Sequence, residues 1–87
     1  MSRHETRAAL IAEFGTAEID LSAIAEKYLG MSKRKAEEAA SRCKLPFPTY
    51  RIGSQKSPVK VSADALARVI EARKLAADKE WSKFHAA

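Results

Sequence analysis

The sequence has a single cysteine, Cys43, and few glycines, prolines and aromatic residues. One cysteine excludes an internal disulfide and every zinc motif that needs several cysteines, which fits a reducing compartment. His4 and His85 stand near opposite ends of the chain without companion ligands. The sequence therefore predicts no metal site and no cofactor.

Long apolar runs are also missing. No stretch approaches the roughly 20 apolar residues that a membrane-spanning helix needs, and the first ten residues have no signal-peptide core. We therefore expect a cytoplasmic protein with no membrane partner.

Enzyme signatures are equally scarce. There is no glycine-rich phosphate loop. Ser32 and Lys35 match the S-x-x-K pattern of penicillin-binding enzymes, but the companion motifs are absent and 87 residues are too few for that fold. Cys43 lies among alanines and is interpreted as a small buried apolar residue, not as a nucleophile. We predict that the protein is not an enzyme.

What the sequence does contain is helix-forming residues and an uneven charge. Apolar residues make up 46% of the chain, enough for one domain, residues 1–87, with a modest core. Residues 27–60 carry nine basic and two acidic side chains, whereas the flanking thirds are acidic or nearly balanced. A basic block of this kind is typical of a polyanion binder, the alternative being a solvated surface.

Apolar spacing predicts a helix over residues 4–14, then a linker or very short strand. A second helix begins at Leu21, capped by Asp20 or Ser22, and ends at Gly30. A third helix, capped by Ser32, is predicted over residues 33–45, with Ala36, Ala39, Ala40 and Cys43 facing inward. The pair, about residues 21–44, is interpreted as a helix-turn-helix, although αα-hairpins of unrelated folds look similar.

A basic hairpin is predicted over about residues 49–61. Pro46 and Pro48 force an extended path, and then Tyr50, Ile52, Val59 and Val61 alternate with basic residues. This period of two is typical of a half-buried hairpin with its basic side chains outward. The expected fold is mainly α: a winged helix-turn-helix with a short two-stranded wing and a long C-terminal helix.

That last helix is predicted over about residues 62–84, capped by Ser62. An apolar stripe runs from Leu66 to Phe84, and the helix is long enough to project beyond a core of this size. The aromatic residues either fold back onto the core or contact another protein. We predict self-association through three apolar side chains, with head-to-tail stacking along DNA as one arrangement. They are Leu75, Trp81 and Phe84.

In a winged helix-turn-helix the second helix of the pair enters the major groove and the wing reaches the neighbouring backbone or minor groove. The predicted DNA contacts on the third helix are Ser32, Lys33, Arg34, Lys35, Glu38 and Arg42. Of these, Arg34 suits guanine and Glu38 suits cytosine, while Lys35 and Arg42 flank them towards phosphates. The predicted contacts on the wing are Arg51, Gly53, Ser54, Gln55, Lys56, Ser57 and Lys60.

The segments "LSAIAEKYLGMSKRKAEEAA" and "KLPFPTYRIGSQKSPVKVSADALARVIE" resemble the pyocin-activator (PrtN-type) family of phage- and mobile-element-associated proteins. The resemblance covers roughly residues 10–80, and "KLPFPTYRIGSQKSPVKV" is its most specific part. The order of elements also looks like that of excisionases and AlpA-type regulators. The resemblance implies a bacterial, nucleoid-associated protein that binds double-stranded DNA.

Two DNA-binding roles follow from the resemblance. An excisionase-type recombination directionality factor, with an integrase as partner, is favoured here because no effector domain is present. A transcriptional activator of phage-like genes that contacts RNA polymerase is the alternative. A third hypothesis, of another class, is a protein-interaction module that uses the helix-turn-helix only as a scaffold.

Overall fold

The computed structural model describes residues 2–85. Four helices and two strands follow one another along this part of the chain. They are α1 (Arg3–Phe14), β1 (Glu18–Asp20), α2 (Leu21–Leu29), α3 (Lys33–Ser41), β2 (Lys60–Ser62) and α4 (Ala63–His85). The fold is mainly helical with a small antiparallel sheet, as the sequence predicted.

Serine hydroxyls cap the helices where the sequence placed them. The Ser32 hydroxyl accepts a hydrogen bond from the Lys35 backbone N–H at 3.2 Å, and the Ser62 hydroxyl accepts one from the Ala65 N–H at 3.0 Å. Asp20 is the N-cap residue of α2 but makes no side-chain hydrogen bond to it. Gly30, with φ of 66°, ends α2 and turns the chain into α3.

The third helix is shorter than predicted. It ends at Ser41, and Cys43 then adopts a left-handed conformation with φ of 54°. The backbone N–H groups of Cys43 and Lys44 donate to the carbonyls of Ala40 and Ala39, which is the Schellman pattern that closes a helix. The prediction that Cys43 lies buried on the inward face is therefore wrong, because the residue is past the helix and exposed. Ala36 is the fully buried residue of α3.

The sheet pairs two segments that lie far apart in sequence. β1 runs antiparallel to β2, with the fully buried Ile19 opposite the fully buried Val61. Tyr50 joins through one bridge to Lys60, with N–H to O distances of 3.0 and 2.7 Å. For the segment before α2, the sequence predicted either a linker or a very short strand. The structure shows that it is a strand, β1.

The hairpin ladder ends sooner than the alternation suggested. Because pairing stops at Tyr50, Ile52 lies in a loop and is 73% exposed. The expectation that Ile52 faces inward is wrong. The chain leaves the sheet after Tyr50 and returns to it at Lys60, and we call residues 51–59 the wing loop.

The core lies where the helices meet the sheet. Its largest fully buried side chains are Ile19, Leu21, Ile24, Val61 and Leu66. Hydrogen bonds tie the helices at its edges: the Thr6 hydroxyl of α1 donates to the Glu71 carboxylate of α4 at 2.5 Å. The Glu13 carboxylate of α1 accepts from the Lys27 ammonium and the Tyr28 hydroxyl of α2, and these bonds lower the pKa of Glu13.

The C-terminal half of α4 extends beyond this core. Residues 72–85 are all exposed, and the molecule measures 55 Å in its long dimension against 25 and 17 Å in the others. Trp81 is 62% and Phe84 79% exposed, so the aromatic residues do not fold back onto the core.

Candidate nucleic-acid interface

The burial of Ala36 sets the orientation of α3. With about 100° between successive residues of a helix, the side opposite Ala36 carries Arg34, Glu38 and Ser41. Arg34 and Glu38 are exposed, and Glu38 forms an ion pair with Arg42 at 3.6 Å. The side of α3 that faces away from the core is therefore polar and mixed in charge, with Lys35 exposed on its flank.

The wing loop is held in shape by its own polar groups. The Ser57 N–H donates to the Ser54 carbonyl at 2.9 Å, and the Lys56 N–H donates to the Ser54 hydroxyl at 3.2 Å. The Arg51 guanidinium donates to the Ser57 carbonyl. A Cβ atom at Gly53 would lie 2.5 Å from the Ser57 hydroxyl oxygen, so a larger residue there would require that hydroxyl to rotate away. Gln55 and Lys56 are left exposed at the turn.

One cleft of about 340 Å³ brings α3 and the wing loop together. Lys33 and Glu37 of α3 line it with Arg51, Lys56 and Ser57 of the wing loop. Its remaining wall comes from residues 20–22, at the N-terminus of α2, and from residues 58–59 at the end of the wing loop. Three cations, Lys33, Arg51 and Lys56, outnumber the carboxylates of Asp20 and Glu37 around this cleft. The small positive excess, together with the helix N-terminus, attracts an anion such as a phosphate. We call this the basic cleft.

The sequence-predicted residues divide into three groups. Lys33, Arg51, Lys56 and Ser57 meet in the basic cleft. The exposed group lies along α3 and the tip of the wing loop outside the cleft lining: Arg34, Lys35, Glu38, Arg42, Gly53, Ser54 and Gln55. The third group makes internal contacts, since Ser32 caps α3 and the Lys60 ammonium lies 2.6 Å from the Asp20 carboxylate.

Six residues that line the basic cleft were not among the predicted DNA contacts: Asp20, Leu21, Ser22, Glu37, Pro58 and Val59. Glu37 lies one helical turn after Lys33, and that spacing was visible in the sequence. Ser22 had been considered only as a helix cap. The missing information was the side of α3 on which the wing loop returns.

Within residues 2–85, no cluster of three His, Cys, Asp or Glu side chains is placed to hold a metal ion. The helices of the same region include none that is both long and apolar enough to cross a membrane.

The family model described as "Pyocin activator protein PrtN" matches residues 6–77, which include most of α1, the basic cleft and most of α4. The chain belongs to the pyocin activator family. The resemblance predicted from its sequence is therefore confirmed. The pyocin activator family is one of regulatory activators and is not known for enzymes. Comparisons with curated proteins and with solved structures gave no match.

Proposed function

We propose that this protein activates transcription by binding double-stranded DNA sequence-specifically through α3 and the wing loop. The observation that carries the proposal is the basic cleft, which puts Lys33 of α3 and Lys56 of the wing loop on one surface. The fold and the membership in an activator family support the same function.

The positions of the exposed side chains indicate which of them would contact bases and which would contact phosphates. Arg34 and Glu38 lie on the outermost side of α3, where base edges would be met in a major groove, Arg34 suiting guanine and Glu38 cytosine. Lys33, Lys56 and the free donors of Arg51 face the basic cleft and suit phosphates. Lys35 and Arg42 flank the helix. Lys60 is left out, because its ammonium is engaged by Asp20.

The family description favours activation over excision. The family is described as an activator, which supports a contact with RNA polymerase once the protein is on DNA. The recombination role stays a prediction from the order of elements, and an integrase partner belongs to it. We therefore place activation first.

Sequence selection followed by a binding assay tests the proposal. Duplexes selected from a random library by the intact protein are labelled, and fluorescence anisotropy compares them with scrambled duplexes. Arg34→Ala should lose about 1–3 kcal/mol of discrimination, because a bidentate base contact disappears. Lys56→Gln should weaken selected and scrambled duplexes alike.

Lys83→Gln is the matched control, since Lys83 is exposed in the last turns of α4 and carries the same charge. It should leave both affinities unchanged. The selected site, placed upstream of a reporter gene, should give expression with the intact protein and not with Arg34→Ala. Absence of any duplex binding would contradict the proposal and favour the protein-interaction module.

A further inference from the structure

A second, apolar groove lies apart from the basic cleft and shares no lining residue with it. It has a volume of about 490 Å³ and runs between the end of α2, residues 44–47 and α4. Its apolar lining includes Leu29, Leu45, Phe47, Leu66 and Ile70. Its rim is basic, with Lys44, Arg73 and Lys74. We call it the α4 groove.

The α4 groove continues into the projecting end of the helix. Phe84 follows Leu66 by 18 residues, five full helical turns, and therefore lies on the same side of α4. Trp81 and Ile70 share that side, so the groove wall and the exposed aromatic rings form one face, which is apolar except for Arg73. Leu75 precedes Phe84 by nine residues, two and a half turns, and lies on the opposite side.

Trp81 and Phe84 cannot reach the α4 groove of their own chain. α4 is one continuous helix, which keeps Trp81 about 16 Å along the axis from Ile70. A second copy can supply them. We propose that α4 pairs antiparallel with α4 of a second copy, each copy placing Trp81 and Phe84 in the α4 groove of the other.

The register of this pair follows from the sequence of α4. A twofold axis between Leu75 and Ala76 sets Trp81 of one copy beside Ile70 of the other and Phe84 beside Ala67, next to Leu66. In antiparallel pairs of helices, flanking residues on the same side of each helix meet. Lys74 of each copy then approaches Asp78 of the other copy, and Arg73 of each approaches Glu80 of the other. The dimer therefore has four such ion pairs.

This charge match favours a second copy over an unrelated helix. The rim cations Arg73 and Lys74 meet the acidic residues Glu80 and Asp78, which accompany the aromatic rings of the other copy. Four aromatic side chains of about 150–250 Å² each supply most of the roughly 1,000 Å² that a specific interface needs.

The consequence is a closed dimer. A twofold contact uses the same surface on both copies and stops at two, unlike the head-to-tail stacking that the sequence analysis gave as one arrangement. Leu75 takes no part in it. Two copies related in this way would select an inverted repeat, a consequence that rests on the proposed function, whereas the dimer itself does not.

Sedimentation equilibrium of the full chain without DNA tests the pairing. The intact protein should sediment as a concentration-dependent monomer–dimer mixture. Trp81→Ala and Phe84→Ala should each raise the dimer dissociation constant at least about tenfold, because buried aromatic anchors dominate interfaces. Leu75 is another exposed apolar residue of the same helix but lies on its opposite side, so Leu75→Ala should leave the dissociation constant unchanged.

A charge swap tests the register. Lys74→Glu and Asp78→Lys should each weaken the dimer, and the double variant should restore it. A protein that stays monomeric, or a Leu75→Ala variant that dissociates as readily as Trp81→Ala, would overturn the proposal. So would a double variant without restoration. Because no DNA is present, none of these outcomes bears on the basic cleft.

Discussion

Single residues set the ends of the helices, and most of them act through local chemistry. The caps at Ser32 and Ser62 could be predicted because a serine before a helix hydrogen-bonds to a nearby backbone N–H whatever surrounds it. Cys43 could not be placed in the same way. Its neighbours continue the helical pattern, and only the path that residues 44–47 take into the core makes the chain turn there.

Cys43 offers a test at this scale. Its φ of 54° costs about 1–2 kcal/mol for a residue with a β-carbon, and its side chain is exposed. Cys43→Gly should therefore raise the free energy of unfolding in urea by about 1 kcal/mol, part of the relief being offset by the freedom of glycine in the unfolded chain. Cys43→Ala keeps the β-carbon and should give no such gain. Equal gains from both variants would contradict the assigned conformation.

At the scale of elements, periodicity predicted the helices better than the sheet. The apolar spacing in α1, α2 and α4 depends on residues a few positions apart, and it was visible in the sequence. Ile19 pairs with Val61, 42 residues later in the chain. A local sequence pattern cannot predict a pairing over that separation. The same reason hid the side of α3 against which the wing loop returns.

The contact between α1 and α4 makes stability depend on pH. The Thr6 hydroxyl donates to the Glu71 carboxylate, and this bond holds the pKa of Glu71 below its ordinary value of 4.5. A lowered pKa in the folded state stabilises the protein above the ordinary value, and that stability is lost as the pH falls through the folded value. Urea unfolding should therefore show a falling free energy from pH 6 towards pH 3.

Thr6→Val and Glu71→Gln should both make this dependence shallower. The first removes the hydroxyl that lowers the pKa, and the second removes the titrating group while keeping an acceptor oxygen. Part of the slope should persist in both, because the pKa of Glu13 is lowered by its separate bond from Lys27. A dependence as steep as that of the intact protein would contradict the role given to this contact.

For the whole molecule, the sequence predicted where the positive charge lies but not how it is used. Nine basic side chains in residues 27–60 indicated a polyanion binder. The structure gathers Lys33, Arg51 and Lys56 around one cleft and gives Lys60 to Asp20 instead. That division depends on three-dimensional pairing, since Lys60 and Lys56 look alike in the sequence.

The projecting half of α4 also affects the molecule as a whole. The sequence predicted a helix longer than the core and left two fates for Trp81 and Phe84. The structure leaves both rings exposed on the face that forms the α4 groove. The DNA contacts and the self-association that we propose thus use separate surfaces of the molecule.

The salt dependence of duplex binding tests the central claim most directly, that α3 and the wing loop form one DNA-binding surface. With about six phosphate contacts, the logarithm of the binding constant should fall against the logarithm of the salt concentration with a slope of about −5. Lys33→Gln and Lys56→Gln should each reduce the magnitude of the slope by about 1, and together by about 2, whereas Lys83→Gln should not change it. A flat response, or a slope that responds to only one of the two cleft lysines, would contradict the claim.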